Sequence, residues 1–142
     1  MDFDLTEEQA MVRTMVKDFA DREIVPTARE YDRQEKFPWD ILKKMASLGL
    51  LGAPIPQKYG GMGLDHIGYS LLIEEIGRAS FAMRSCVSAH MSLCQQTILQ
   101  WGTETQKQKY LPRLARGEML GAFGTTEPNV GSDVSAIETT AV

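Results

Sequence analysis

The sequence LTEEQAMVRTMVKDFA, residues 5–20, decides the fold class of this chain. Thr6 stands three residues before Gln9, which is the spacing of a capping box, where each side chain bonds the other residue's backbone amide. Apolar residues then recur three and four positions apart, as they do on one face of an α-helix. These apolar residues are Met11, Val12, Met15, Val16, Phe19 and Ala20. An amphipathic helix is therefore predicted after Thr6, and Pro26 is expected to bend or restart it.

The helical period continues towards the C-terminus. A second helix is predicted to begin at Pro38, because proline is favoured in a first helical turn, and to stop at Gly49. A loop rich in glycine and proline follows at residues 54–63, where glycine permits backbone angles that other residues avoid. Two further helices are predicted between residues 65 and 100, the second starting near Phe81.

A second capping box provides the last helical signal. Thr103 and Gln106 repeat the spacing of the first box, and the helix that they open is expected to end at Gly117. The sequence contains no internal repeat and no low-complexity segment. Residues 1–117 are therefore predicted to form one all-α domain.

The pattern changes after Gly117. Residues 119–126 combine aromatic, threonine and small residues, which favours a β-strand, and residues 137–142 alternate like a second strand. A loop rich in Gly, Pro, Asn, Ser and Asp separates the two. The predicted fold class is mainly α, with residues 118–142 forming the first strands of a second, incomplete β domain.

Composition excludes several classes of protein. The chain has 142 residues, of which 43% are hydrophobic and 24% charged, as in ordinary globular domains. Its 15 Lys and Arg residues against 19 Asp and Glu residues give a net charge of -4, without the basic run typical of a nucleic-acid site. No apolar stretch reaches about 20 residues, the length of a membrane-spanning helix. The N-terminus lacks a secretory signal pattern, so a cytoplasmic location is expected.

Cys86, His90 and Cys94 are spaced by four residues and share one helix face, which suggests a metal site. Along a helix, however, the two cysteines are about 12 Å apart, whereas a zinc–sulfur bond is about 2.3 Å long. One ion cannot reach all three side chains, and a disulfide cannot form over this distance. Core thiols and a hydrogen-bonded histidine are predicted instead, and no metal is expected.

Arg84 lies in a run of small and apolar residues, 79–89, with no acidic residue close in sequence. A buried guanidinium needs an anion. Two interpretations remain open from the residues alone. Arg84 is either a structural residue, at the helix surface or paired with a remote carboxylate, or it receives the carboxylate of a ligand.

The strongest local motif is FGTTEPNVGSD, residues 123–133. It is typical of a strand end that leads into a loop rich in hydroxyl groups. Asn129 and Gly131 are able to turn the backbone and expose amides to a polar ligand, as in an anion-binding nest. Taken alone, the motif is either such a ligand loop or an ordinary turn.

The same motif resembles the TEPxxGSD signature of the acyl-CoA dehydrogenases. Four further motifs resemble this family and occur in family order along the whole chain. They are LTEEQ at residues 5–9, PxxYGGxG at 56–63, EEIGR at 74–78 and GTETQKQKYLPRLARGE at 102–118. The resemblance implies a helical N-terminal domain, a β-barrel middle domain and a C-terminal helical bundle. It also implies FAD-dependent oxidation of an acyl-CoA thioester to the enoyl-CoA.

By motif match, the resemblance assigns flavin contacts to the loop. The positions are Phe123, Gly124, Thr125, Thr126, Glu127, Pro128, Gly131 and Ser132. Thr126 is expected near the pyrimidine side of the isoalloxazine ring, and Ser132 is expected to touch the acyl-CoA as well. Hydrogen bonds to the ring would stabilise the charge that it gains with the hydride.

The resemblance leaves the catalytic base outside this chain. Family members are much longer, and their catalytic Glu lies in a part that these 142 residues do not include. Glu74 and Glu75 belong to the EEIGR helix motif, so a structural role is expected for both. We expect the sequence to be part of a longer chain and not to catalyse the reaction by itself.

Two details resemble the glutaryl-CoA dehydrogenase branch. One is Phe123-Gly124 before the threonines with Asn129 after the proline, and the other is the pair Arg84-Ser85. In that branch an Arg-Ser pair holds the distal carboxylate of a dicarboxylyl-CoA, which implies substrate-binding roles for Arg84, Ser85 and Ser132. The expected substrate is therefore glutaryl-CoA or a relative.

Three alternatives to a glutaryl-CoA dehydrogenase remain open. They are a short- or branched-chain acyl-CoA dehydrogenase with a structural Arg84, an acyl-CoA oxidase, and a non-catalytic helical interaction module. The resemblance implies electron-transferring flavoprotein as electron acceptor and a homotetramer. A processed mitochondrial matrix protein is the alternative to the bacterial cytoplasm.

Overall fold

The computed structural model describes residues 4–141 of the protein. Seven α-helices run in chain order, with a π-helical segment after α1 and another after α5. They are α1 (Glu7–Phe19), a first π segment (Ala20–Ile24), α2 (Val25–Arg33), α3 (Trp39–Ser47), α4 (His66–Ala79), α5 (Phe81–Ser88), a second π segment (Ala89–Gln95), α6 (Gln96–Trp101) and α7 (Glu104–Ala115). Short 3-10 turns occupy Leu50–Gly52, Gln57–Tyr59 and Val134–Ala136. Residues 1–3 and Val142, the last residue of the predicted second strand, lie outside the described residues.

The predicted capping box opens α1. The Thr6 hydroxyl accepts from the Gln9 amide at 3.2 Å, and the Thr6 amide donates to Gln9 Oε1 at 3.0 Å. The buried face is narrower than predicted: Val12 and Val16 are buried, whereas Met11 is exposed. Met11 lies about 100° around the helix from Val12, which turns it away from the core.

Helical backbone continues from α1 into α2 through the first π segment. Pro26 lies in the first turn of α2, where its missing amide hydrogen costs no helical bond. The predicted restart at Pro26 therefore takes the form of a wider helical turn just before the proline. Helix α3 follows Pro38 as predicted, and Gly49 ends it with φ at 75°.

The glycine-rich loop between α3 and α4 belongs to the core. Ile55 and Tyr59 are fully buried, and the loop backbone folds on itself. The Met62 amide donates to Gly52 O at 3.1 Å, and the Gly63 amide donates to Ile55 O at 2.9 Å. These contacts give the loop a structural role.

Helices α4 and α5 form where two helices are predicted. The Asp65 side chain caps α4 by accepting from the Gly68 amide at 2.7 Å. The chain turns at Ser80, which is extended and whose hydroxyl caps α5 through the Met83 amide. The main hydrophobic core lies between α1, α3, α4, α5 and the second π segment. Its fully buried members include Val16, Met45, Leu72, Ile76, Val87 and Met91.

Helix α7 begins at the second predicted capping box. The Thr103 amide donates to Gln106 Oε1 at 2.8 Å, and Gly117 has φ at 68° just beyond the helix end. A smaller core joins this helix to the loop, since Leu111 packs with Ile55 and Tyr59. The Tyr59 hydroxyl also donates to Glu104 Oε2 at 2.9 Å.

Neither predicted strand is formed in the part of the chain that the structure describes. In residues 4–141 the β pairing consists of one isolated bridge between Glu127 and Val130. A strand needs a neighbouring strand to bond its amides and carbonyls, and residues 119–126 and 137–141 have no such ladder. The mainly α fold class is confirmed, because the helices dominate the structure.

Candidate functional site

Arg84 lies on α5, one turn after the Ser80 cap. It is half-buried, and its guanidinium carbon is 5.4 Å from the centre of the Phe81 ring. The aliphatic part of the Arg84 side chain packs against Gly77, where an added Cβ would lie 3.3 Å from Arg84 Cγ. Among residues 4–141 no carboxylate lies within ion-pair distance of Arg84. The guanidinium therefore has no anionic partner among the described residues.

Helix α7 is followed by a segment that returns to the helices at Gly121. The Gly121 amide donates to Nδ1 of His90 at 2.9 Å. The other ring nitrogen of His90 lies 3.2 Å from Leu114 O and 2.7 Å from the side-chain amide nitrogen of Gln95. Burial lowers the pKa of His90 below its usual value, and the bond to Leu114 O opposes this only in part. Because the Gly121 amide donates to Nδ1, that nitrogen is the acceptor of the ring.

The predicted flavin loop is a turn on the protein surface. The Glu127 amide donates to Val130 O at 2.9 Å and the Val130 amide donates back to Glu127 O at 3.2 Å, with Pro128 and Asn129 at the corner. Val130 is buried and Glu127 is half-buried. Pro128 and Asn129 are exposed at the corner of the turn.

Several groups on this loop are open to a ligand. A Cβ added at Gly124 or Gly131 would meet no heavy atom within 4 Å. The hydroxyls of Thr125, Thr126 and Ser132 make no hydrogen bond to any residue in the described part of the chain. Phe123 is exposed beside them.

Glu127 has a structural role that sequence reasoning missed. Its carboxylate accepts from the Thr139 hydroxyl, from the Glu138 amide at 2.7 Å and from the Thr139 amide at 3.0 Å. These bonds, led by the Thr139 hydroxyl, hold the pKa of Glu127 below its usual value. They join the turn to the chain twelve residues later, a contact that no local motif indicates.

The predicted site residues fall into two groups. Arg84 and Ser85 lie on α5, and the residues of 123–132 lie on the surface turn. In residues 4–141 no hydrogen bond, ion pair or ring contact joins these two groups. The second π segment links them in the chain, because it follows α5 and its His90 bonds Gly121.

Comparison with known proteins identifies the family. A family model described as the acyl-CoA dehydrogenase N-terminal domain matches residues 6–118. The chain belongs to the acyl-CoA dehydrogenase family. It is 48% identical over 142 residues to the short-chain-specific acyl-CoA dehydrogenase of Clostridium acetobutylicum. The match covers 100% of the chain and 38% of the relative, so the chain spans little more than a third of that protein.

Solved structures of acyl-CoA dehydrogenase relatives have the same fold. The complex of glutaryl-coenzyme A dehydrogenase with glutaryl-CoA matches with a TM-score of 0.90 and 41% identity, over 96% of this chain and 35% of that one. An acyl-CoA dehydrogenase of Bacillus anthracis complexed with FAD matches with a TM-score of 0.82 and 37% identity, over 95% of this chain and 23% of that one. A structure described as the electron transferring flavoprotein of Acidaminococcus fermentans matches with a TM-score of 0.91 and 43% identity, over 96% of this chain and 36% of that one.

The cysteine and histidine spacing does not build a metal site in this acyl-CoA dehydrogenase domain. Both cysteines are free, and burial raises the pKa of each thiol. Both nitrogens of His90 face groups of the chain itself. Residues 4–141 contain no cluster of three or more metal-ligating side chains. No helix in that range has the length and apolarity needed to cross a membrane.

The EEIGR motif holds two helices together. Glu75 is 5% exposed and accepts from Arg13 Nε at 3.2 Å and from Arg78 Nε at 2.9 Å. Burial alone would raise the pKa of Glu75, but the bonds from Arg78 and Arg13 outweigh it, and the pKa is lowered. Glu75 is thus a carboxylate committed to joining α1 and α4, whereas Glu74 is exposed.

We expect Glu75→Gln to cost about 1–2 kcal/mol of unfolding free energy at neutral pH, because the charged hydrogen bonds are lost. The wild-type carboxylate has a lower pKa folded than unfolded, so its stabilisation is present above the usual value of 4.5 and is lost as the pH falls through the folded pKa. The difference between variant and wild type should therefore shrink in acid. Urea unfolding of both proteins from neutral pH downwards measures it.

Exposed Glu74→Gln is the matched control, and its effect should stay within about 0.5 kcal/mol at every pH. An effect of Glu75→Gln that stays constant into strong acid would contradict the assigned ion pairs.

Proposed function

We propose that this chain is the N-terminal part of an FAD-dependent acyl-CoA dehydrogenase, which oxidises an acyl-CoA thioester between its α and β carbons. Family membership supports the reaction class, and the related Bacillus anthracis structure with FAD supports the cofactor. The observation that carries the proposal is the surface turn with its unpaired hydroxyls and open glycines. Residues 1–117 would form the helical domain, and residues 118–142 would begin the β-barrel domain.

The residues of the turn fit a flavin. The isoalloxazine ring has an apolar body and a polar edge, and the turn offers Phe123 together with the free hydroxyls of Thr125 and Thr126. Gly124 and Gly131 leave room for a ligand to approach the backbone. Pro128 fixes the corner, and Glu127 anchors it to Thr139. These features preorganise hydrogen-bond donors and acceptors, which is what stabilisation of a charged ring requires.

In this mechanism the described residues bind and orient. Bound FAD supplies the two-electron acceptor for the hydride from the β carbon. The hydroxyls of Thr126 and Ser132 would hold polar atoms of the flavin and the thioester by hydrogen bonds. Glu75 is excluded as the base that removes the α proton, because two arginines bind its carboxylate.

We further propose a dicarboxylyl-CoA substrate such as glutaryl-CoA, with Arg84 and Ser85 receiving the distal carboxylate. The support is the half-buried guanidinium without an anion in the described chain. A carboxylate that enters an apolar pocket needs such a cation to offset its desolvation, and a guanidinium binds it bidentately. The likeness to the glutaryl-CoA complex agrees with this substrate.

The second candidate is a short-chain acyl-CoA dehydrogenase with a structural Arg84. It is favoured by the contacts that Arg84 already makes with Phe81 and Gly77, and by the short-chain-specific relative. A dicarboxylyl-CoA carries a distal carboxylate that a short-chain acyl-CoA lacks. An experiment that compares the two substrates therefore distinguishes the two candidate functions.

Electron-transferring flavoprotein is proposed as the redox partner, supported by the structure of that description from Acidaminococcus fermentans. The homotetramer stays a prediction. The bacterial relatives support a bacterial cytoplasm, with the mitochondrial matrix as the alternative.

The test is the visible spectrum of the protein purified from its native source, recorded anaerobically with glutaryl-CoA or butyryl-CoA. We expect bleaching of a flavin band by glutaryl-CoA. Arg84→Lys should raise the glutaryl-CoA concentration for half-bleaching about tenfold or more, because lysine cannot form the bidentate contact. Exposed Arg22→Lys is the matched control and should have no effect.

Bleaching by butyryl-CoA alone, or equal effects of Arg84→Lys on both substrates, would remove the dicarboxylate role and keep the reaction class. A native protein without any flavin band would overturn the proposed function and favour the interaction module.

A further inference from the structure

The second π segment, Ala89–Gln95, carries two side chains that fix one residue of the following domain. His90 is 1% exposed, and its Nδ1 accepts from the Gly121 amide at 2.9 Å. Cys94 packs against the same glycine so closely that an added Cβ at Gly121 would lie 2.3 Å from Sγ. Only glycine fits this position without displacing Cys94.

This contact is the main link between residues 119–126 and the helices. No other hydrogen bond joins those eight residues to the rest of the described chain. Gly121 lies two positions before Phe123, where the proposed flavin contacts begin. A shift of Gly121 would therefore move the start of that loop relative to α5.

The chemistry of His90 suits a fixed acceptor. Because Nδ1 accepts, the ring proton belongs on Nε2, where Leu114 O lies 3.2 Å away. Gln95, five residues on, lies against the ring and donates to Leu51 O at 2.8 Å. A π-helical turn places residues five apart next to each other, so the unusual helical turn is what brings Gln95 to the ring. The imidazole is thereby held at Nδ1 by the Gly121 amide and at Nε2 by Leu114 O.

We propose that His90 is a positioning residue for the flavin loop, acting through the Gly121 amide. The inference rests on the proposed function for the flavin itself, whereas the hydrogen bond is a property of this chain. His90 touches no substrate or cofactor in this proposal. It sets where residues 123–132 begin on the helical domain.

Two substitutions separate this role from packing. The side-chain oxygen of His90→Asn can occupy the place of Nδ1 and still accept from Gly121, whereas the amide of His90→Gln reaches the place of Nε2 and leaves Gly121 unbonded. Gln fills the buried site better than Asn. Packing alone therefore predicts that Asn is the worse variant, and positioning predicts that Gln is worse.

The first readout is amide hydrogen exchange at Gly121, measured in the full-length protein with the Leu114 amide as internal reference. We expect exchange about tenfold faster in His90→Gln and within about threefold of wild type in His90→Asn. Equal exchange in both variants, or faster exchange in Asn, would overturn the positioning role.

The second readout is the FAD dissociation constant of the protein from its native source. We expect it to rise about tenfold in His90→Gln and to change little in His90→Asn. Unequal Gly121 exchange with equal FAD binding would overturn the positioning role and leave the proposed function intact. A wild-type protein that binds no FAD would overturn both.

Discussion

Gly61→Ala is expected to lose about 3 kcal/mol or more of unfolding free energy. An added Cβ would lie 2.0 Å from Ile55 O and 2.6 Å from Gly52 O. Both neighbours are backbone atoms, and each accepts a hydrogen bond from the loop itself, from Gly63 and Met62 respectively. The clash therefore cannot be relieved by rotating a side chain. Urea unfolding followed by far-UV circular dichroism measures the loss.

Gly124→Ala is the matched control, because a Cβ there meets no heavy atom within 4 Å. Its unfolding free energy should stay within about 0.5 kcal/mol of wild type. If Gly61→Ala unfolds within that same margin, the close backbone approach in the loop is wrong.

Leu72→Ala is expected to cost about 3 kcal/mol, within the range for buried leucines that leave a cavity. Leu72 is 0% exposed on α4 and belongs to the main core with Val16 of α1 and Met45 of α3. The truncation would leave a cavity among side chains from several helices. The measurement is the midpoint and slope of urea unfolding, with an unchanged slope showing that the denatured state is unaltered.

Ile67→Ala provides the control on the same helix, because Ile67 is 53% exposed. We expect a cost below about 1 kcal/mol, since little apolar surface is uncovered. Equal costs for the two variants would mean that α4 does not face the core in the way described.

The helices were predictable because their signals are local. Thr6 with Gln9 and Thr103 with Gln106 each complete a capping box within one turn of helix. Such bonds depend on neighbours in sequence, so the spacing of residue types is sufficient to predict them. Met11 shows the limit, because the apolar residues of α1 cover more of the helix than the core buries.

The strands and π segments were not predictable on the same basis. Residues 119–126 have the composition of a strand, but pairing depends on a partner elsewhere in the chain. The two π segments, Ala20–Ile24 and Ala89–Gln95, differ from an α-helix by a fraction of a residue per turn. A pattern of apolar residues does not resolve that difference.

The sequence by itself determined the helical class, the helix ends and the family motifs, because each depends on residue types at short spacing. It also singled out Arg84 and residues 123–132 as site residues. Only the tertiary structure decided that Arg13 of α1 binds Glu75 of α4, and that the Gly121 amide reaches His90. These contacts join residues more than thirty positions apart, and the packing of whole helices sets both.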